Sequence, residues 1–177
     1  MPSRKINPEE RAAVMDFLKR WHDTMLRIED ATNRMKIIAG DKTLGIKSPE
    51  YEKARVMAMA VVHEAGLDSV EAGYWPALSG RKGPALVGAL AGQMYDAFKC
   101  QLNILRLWGL VTEAFRRGRE KEAPSIEELV SLNAMYANLL DEMGVIAAQL
   151  AIFYKIPATE LEAANPEPER PPAEPVS

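Results

Sequence analysis

A heptad-like repeat of apolar residues is the feature that most constrains the fold of this 177-residue chain. In three segments, apolar side chains recur at spacings of three and four residues, which places each set along one side of a long helix. The three stripes comprise Val14, Leu18, Trp21, Met25, Ile28, Thr32, Met35 and Ala39; Leu90, Met94, Ala97, Gln101, Ile104, Trp108, Val111 and Phe115; and Ile126, Leu129, Asn133, Tyr136, Leu140, Met143, Ala147, Leu150 and Tyr154. Because each stripe needs an apolar partner, the sequence predicts an all-α bundle.

Capping signals divide the chain into four long helices. Start signals are an N-cap residue before proline at Asn7 and Ser48, a proline at 84, and a Ser-x-x-Glu capping box at Ser125. Stop signals are Gly40, Gly66, Gly118 and Pro157, with Gly66 expected to adopt the left-handed conformation that ends a helix. We predict helices at about 8–39, 49–65, 84–117 and 126–154, with a short turn at 159–164. They form an antiparallel four-helix bundle with a long 66–83 connection.

The predicted bundle forms one domain that covers residues 1–164. A chain of this size removes roughly two-thirds of its unfolded surface from water, so a substantial core can form. Residues 165–177 contain five prolines and almost no apolar side chains, which predicts a disordered proline-rich tail.

Charge and cysteine content limit the environment of the protein. The net charge of −3 gives no general attraction to nucleic acid or to anionic membranes. The longest uncharged run, residues 83–95, is well short of the roughly 18 residues needed to span a bilayer. The N-terminus has no apolar stretch typical of a secretory signal, and one cysteine gives no sign of an oxidising compartment. We therefore expect a cytoplasmic protein without a membrane span.

No catalytic, metal or cofactor motif is present. Helical bundles often bind metals through Glu-x-x-His pairs, but Lys19 precedes His22 by three residues and Ala60 precedes His63. The Glu-x-x-Glu and Glu-x-x-Asp pairs that hold magnesium in all-α pyrophosphohydrolases are absent from the predicted helices. We therefore predict no catalytic residue, no metal site and no cofactor.

One loop has features of an anion site. A glycine-containing segment with two cations, 79–84, leads directly into the third helix, whose free N–H groups and dipole favour an anion. Arg81, Lys82 and Gly83 are therefore candidate anion-binding residues. The alternative is a solvated connection whose glycines only permit the turn.

Small residues near the start of the third helix indicate a contact surface. Ala85, Gly88 and Gly92 recur at intervals of three and four residues, and they allow another helix to approach closely. Together with Trp108 they are the predicted oligomer interface. A homo-oligomer is expected, most simply a dimer, or else a complex with another helical protein.

These observations favour a non-enzymatic structural, assembly or adaptor protein that acts through helix–helix oligomerisation. One alternative is an all-α enzyme that handles a small ligand or nucleotide near the 66–84 connection. Another is a nucleic-acid-coating protein that uses the basic residues of 79–84 and 116–121, although Glu120 interrupts the second cluster. An exposed apolar stripe would favour assembly, and converging carboxylates in a closed cavity would favour the enzyme.

Overall fold

The computed structural model describes residues 5–68 and 84–163, and these contain helices and no strands. The helices are α1 (Pro8–Gly40), α2 (Pro49–Val61), α3 (Pro84–Arg116), α4 (Ile126–Phe153) and α5 (Ala158–Ala163). A π-helical segment, Val62–Leu67, continues α2, and a 3-10 turn, Glu120–Glu122, precedes α4. The predicted all-α bundle of four long helices is confirmed. The predicted tail, 165–177, lies outside the described residues.

Three of the predicted helix starts have the side-chain caps expected from the sequence. The Asn7 carboxamide oxygen accepts hydrogen bonds from the N–H groups of Glu9 and Glu10, at 2.9 and 3.3 Å. Ser48 and Ser125 accept hydrogen bonds in the same way from the N–H groups of residues 51 and 128, each at 3.2 Å. Because these bonds satisfy N–H groups that have no partner within the helix, they fix where α1, α2 and α4 begin.

The bundle consists of two antiparallel hairpins. Helix α1 packs against α2 across a short loop, and α3 packs against α4 in the same way. The π-helical segment and α2 then pack against α3, which joins the two hairpins. The largest fully buried side chains at the centre of this arrangement are Tyr154, Phe98, Ile28, Leu90, Met94 and Leu105.

Arg11 connects the start of α1 to the end of α4. Its guanidinium donates hydrogen bonds to the carbonyls of Tyr154 and Lys155, both at 3.0 Å, and pairs with Glu160 at 2.9 Å. The Tyr154 hydroxyl donates to the Glu10 carboxylate at 2.7 Å. A cation therefore satisfies carbonyls at the negative end of the α4 dipole while it joins α1 to α5.

Arg55 connects α2 to α3. Its guanidinium donates to both oxygens of Glu52, at 3.0 and 2.6 Å, and to the carbonyl of Leu105 at 3.2 Å. It lies flat against Gly109, where an added Cβ would come within 2.7 Å of the Arg55 Cζ atom. The absence of a side chain at Gly109 thus leaves room for the Arg55 guanidinium in the interface between α2 and α3, where it can form these hydrogen bonds.

The Arg55–Glu52 pair contributes to the stability of the bundle at neutral pH, and this contribution is lost at acidic pH. Hydrogen bonds from Arg55 lower the pKa of the Glu52 carboxyl below its ordinary value of 4.5. A lowered folded-state pKa contributes stability that is present above 4.5 and is lost as pH falls through the folded value. We therefore expect Glu52→Gln to flatten the decline in unfolding free energy between about pH 5 and about pH 3. Urea titrations across this range measure the effect. As the control, Glu50→Gln removes a carboxyl that has no ion pair among the described residues.

The end of the second helix differs from the sequence prediction. Gly66 does not adopt a left-handed conformation. Within the described residues, the glycines with positive φ are Gly45 and Gly118. Instead, Gly66 lies buried inside the π-helical segment, and an added Cβ would be 2.9 Å from the ring of Phe98. Thr24 of α1 donates a hydrogen bond to the neighbouring Ala65 carbonyl at 3.5 Å. Close packing against Phe98 therefore explains why residue 66 is a glycine.

We expect Gly66→Ala to lower the unfolding free energy by about 1–3 kcal/mol, because the methyl group would overpack against the buried Phe98 ring. Gly92→Ala is the matched control. It is also helical, but nothing lies within 4 Å of the added Cβ, so it should stabilise the monomer by up to about 1 kcal/mol through helix propensity. Thermal and urea unfolding of both variants measure the difference, and equal effects would contradict the packing argument.

Helices α3 and α4 end in the same backbone motif with different residues. At the end of α3, Arg119 donates its N–H to the Ala114 carbonyl at 2.8 Å around Gly118, whose φ is +68°. At the end of α4, Ile156 donates to Ala151 at 2.8 Å around Lys155, whose φ is +51°. This Schellman motif needs a left-handed residue, which glycine adopts without strain and lysine does not.

We therefore expect Lys155→Gly to raise the unfolding free energy by about 0.5–1 kcal/mol, and Gly118→Ala to lower it by about 1 kcal/mol. Opposite shifts in the urea midpoint would confirm that strain is located at Lys155. If Lys155→Gly lowers stability, the Lys155 side chain contributes more than the backbone strain costs.

Candidate interaction surface

Helix α4 has a second apolar face that no other described element covers. The first face of α4 consists of the buried residues Leu129, Met143, Ala147 and Leu150, which face the interior of the bundle. On another side of the helix the larger apolar residues are exposed, at 77% for Ile126, 62% for Val130, 58% for Val145 and 78% for Ile152. The sequence prediction that placed Ile126 in the inner stripe is wrong, because this side chain is among the most exposed apolar groups of the helix.

The exposed residues form one continuous stripe, which we call the α4 outer face. Its members follow spacings of four, four and three residues, and every one is exposed: Ile126, Val130, Ala134, Ala137, Asp141, Val145, Ala148 and Ile152. At 100° per residue these positions stay within one narrow arc of the helix surface. At 1.5 Å per residue the stripe is about 39 Å long. It is therefore long enough to contact another helix over several turns.

The charges on α4 all have the same sign. The helix carries Glu127, Glu128, Asp141 and Glu142 and has no lysine or arginine. None of the four carboxylates takes part in an ion pair within the described parts of the chain. The α4 outer face thus combines apolar side chains with unpaired negative charge.

A groove on the outside of the first hairpin, the α1–α2 groove, has complementary features. Its volume is about 580 Å³, and its apolar lining consists of Ala31, Ile37, Ile38, Ala54, Met57 and Val61. Ile37 and Met57 are 71% and 60% exposed. The charged residues at the groove are Arg27, Asp30, Arg34, Glu50 and Lys53. Asp30 pairs with Arg34 at 3.2 Å, whereas Arg27 and Lys53 have no ion pair among residues 5–68 and 84–163.

The structure separates the residues of the predicted oligomer interface. Ala85, Gly88 and Gly92 are exposed, and nothing lies within 4 Å of a Cβ added at either glycine, so no helix in the described part of the chain packs there. Trp108 lies on a different side of α3, where it packs half-buried against Leu107, Val111 and Leu129. The three small residues remain a predicted contact surface for another chain, and Trp108 contributes to the interior of this one.

The predicted anion site cannot be compared with the structure, since Arg81, Lys82 and Gly83 lie outside the described residues. The second basic cluster is described, and its arginines are paired. Arg116 lies 3.7 Å from Glu113, Arg117 lies 2.8 Å from the same carboxylate, and Arg119 lies 3.9 Å from Glu122. These cations are therefore partly neutralised by acids on the same surface.

Titratable groups in the described interior owe their shifts to burial. Burial raises the pKa of Tyr51 and of Tyr136 to about 12, and it raises the pKa of the Cys100 thiol. The thiol donates a hydrogen bond to the Leu132 carbonyl at 3.4 Å. These groups keep their protons at neutral pH, as expected of packed side chains. No cluster of three or more histidine, cysteine, aspartate or glutamate residues with metal-binding geometry occurs in the described ranges.

Sequence reasoning did not find the α4 outer face or the α1–α2 groove. The signal for the first was present, since the four-four-three spacing from residue 126 to residue 152 can be read from the sequence. It was obscured because the same helix carries a stronger inner stripe. The groove had no comparable signal, because its lining comes from two helices whose relative rotation is set by packing.

Within residues 5–68 and 84–163, no helix combines the length and apolar character that a bilayer span requires. Compared with known proteins, the chain matches no family model, no curated protein and no solved structure.

Proposed function

We propose that this protein is a non-enzymatic assembly or adaptor component that acts through helix–helix oligomerisation in the cytoplasm. The observation that supports the proposal is the α4 outer face, a stripe about 39 Å long whose larger apolar side chains are more than half exposed. Exposed contiguous apolar patches of this kind usually mark a protein interaction site.

The apolar side chains of the α4 outer face would contribute a large part of the free energy of a contact between copies. Full burial of a valine or isoleucine side chain contributes about 1.5–3 kcal/mol, and less where part of the side chain is already covered. Four such residues in each of two copies would contribute on the order of 10 kcal/mol or more, against association costs of about 4–15 kcal/mol. Micromolar affinity needs a net gain of about 8 kcal/mol, so a stable contact would also bury apolar surface beyond these residues, toward the standard size of about 800 Å² per partner.

The two alternative functions have less support among the described residues. The nucleic-acid alternative depends in part on arginines 116, 117 and 119, each of which lies within 4 Å of a carboxylate. The enzyme alternative requires carboxylates that converge in a cavity. The α4 acids instead lie on an exposed surface, and the α1–α2 groove has mostly apolar surface.

A charge substitution on the α4 outer face tests the proposal. We expect the double variant Val130→Glu/Val145→Glu to weaken self-association by about 100-fold or more, because two desolvated carboxylates would replace apolar contacts. Sedimentation velocity at micromolar concentration measures the change, and circular dichroism verifies that the bundle remains folded.

The matched control is Ser131→Glu/Gln149→Glu, which adds the same charge to exposed positions about 90° around α4 from the centre of the stripe. This control should assemble like the unaltered protein. A monodisperse 19.6 kDa monomer of the unaltered protein, or equal effects of both double variants, would contradict the proposal.

A further inference from the structure

We infer that the α4 outer face of one copy docks into the α1–α2 groove of a second copy. This inference rests on the proposed function and names the partner surface of the same site. It commits to a head-to-tail contact between two different surfaces of the same chain, in place of a symmetric pairing of α4 with itself.

The first argument is charge complementarity. Helix α4 presents four carboxylates, no cation and no ion pair within the described residues. The α1–α2 groove presents the cations Arg27 and Lys53 and the carboxylate Glu50, none of which has an ion pair among the described residues, so its unpaired charge is net positive. Docking would bring unpaired charges of opposite sign together in one largely apolar contact, with Asp141 in the middle of the stripe. Such an arrangement steers association and suppresses incorrect partners.

A symmetric α4 pair lacks this complementarity. In an antiparallel pairing centred on the stripe, Asp141 of each copy would lie opposite Ala137 of the other. The two Asp141 side chains would then be only about 6 Å apart along the helix axis. Neither α4 supplies a cation to the contact, so two like charges would be desolvated together, which is destabilising.

The second argument is the fit between apolar surfaces. The middle of the α4 outer face carries Ala134 and Ala137, whose short side chains let another helix approach closely. The larger Ile126, Val130, Val145 and Ile152 lie toward its two ends. A groove of about 580 Å³, whose lining spans about 17 Å along each helix, has room for the apolar side chains at one end of the stripe. The exposed Met57 and Ile37 at the groove would be covered in the same step.

Because each copy then offers one donor surface and one acceptor surface, the contact can repeat. A heterologous contact of this type forms a closed ring or an open chain of copies, depending on the rotation between successive copies. Mutations that block either surface should therefore stop assembly, and two differently blocked copies should still bind each other once.

The experiment uses a groove variant, Ile37→Glu/Met57→Glu, beside the α4 variant Val130→Glu/Val145→Glu, both in the full chain. We expect each variant alone to be monomeric by sedimentation velocity. A 1:1 mixture should form a heterodimer, with an affinity within about tenfold of the unaltered contact. Only one intact pair of surfaces remains in that mixture, the groove of the α4 variant and the α4 outer face of the groove variant. Ala60→Glu, at an exposed α2 position that does not line the groove, is the control and should assemble normally.

The possible outcomes separate the inference from the proposed function. If the groove variant assembles like the unaltered protein while the α4 variant is monomeric, α4 pairs with itself; the proposed function then stands and the inference is overturned. If both variants are monomeric and folded but their mixture stays monomeric, the docking is also overturned. If the unaltered protein does not self-associate, both the inference and the homo-oligomer proposal fail.

Discussion

The contact between α2 and α3 is the constraint on which the rest of the bundle depends, because it joins two helical hairpins. Arg55 lies at one end of this contact, with its guanidinium against Gly109 and hydrogen-bonded to the Leu105 carbonyl. The buried Phe98 ring lies at the other end, against Gly66. At both ends a glycine lets a bulky group from the facing helix come close. The hairpins are therefore aligned by specific close contacts as well as by general apolar burial.

Local signals in the sequence predicted the helix boundaries well. Asn7, Ser48 and Ser125 cap helices where expected, and Gly118 ends α3 in the left-handed conformation. These outcomes depend on residues only a few positions apart, so no knowledge of tertiary packing was needed. The inner stripe of α3 was also predictable, because six of its eight residues are buried.

Tertiary contacts explain the predictions that failed. Gly66 looks like a helix terminator in the sequence, and only the position of Phe98 reveals that it is a packing site. Trp108 is half-buried beside Leu107 and Val111, and its part in an oligomer interface stays a prediction. Which of two apolar stripes on α4 faces inward depends on where α3 lies. Periodicity alone does not contain that information.

The π-helical segment Val62–Leu67 has a consequence for the permitted length of the chain. In a π-helix the hydrogen bonds close over one more residue than in an α-helix, so each residue advances less around the axis. Leu67, which is 8% exposed, would be rotated toward the outward side of α2 if the segment were α-helical throughout. The extra residue of the π-helical segment thus sets the rotational position of Leu67 about the helix axis relative to the start of α2. Deletion of one residue ahead of Leu67 would therefore let the segment become α-helical while Leu67 still faced the core.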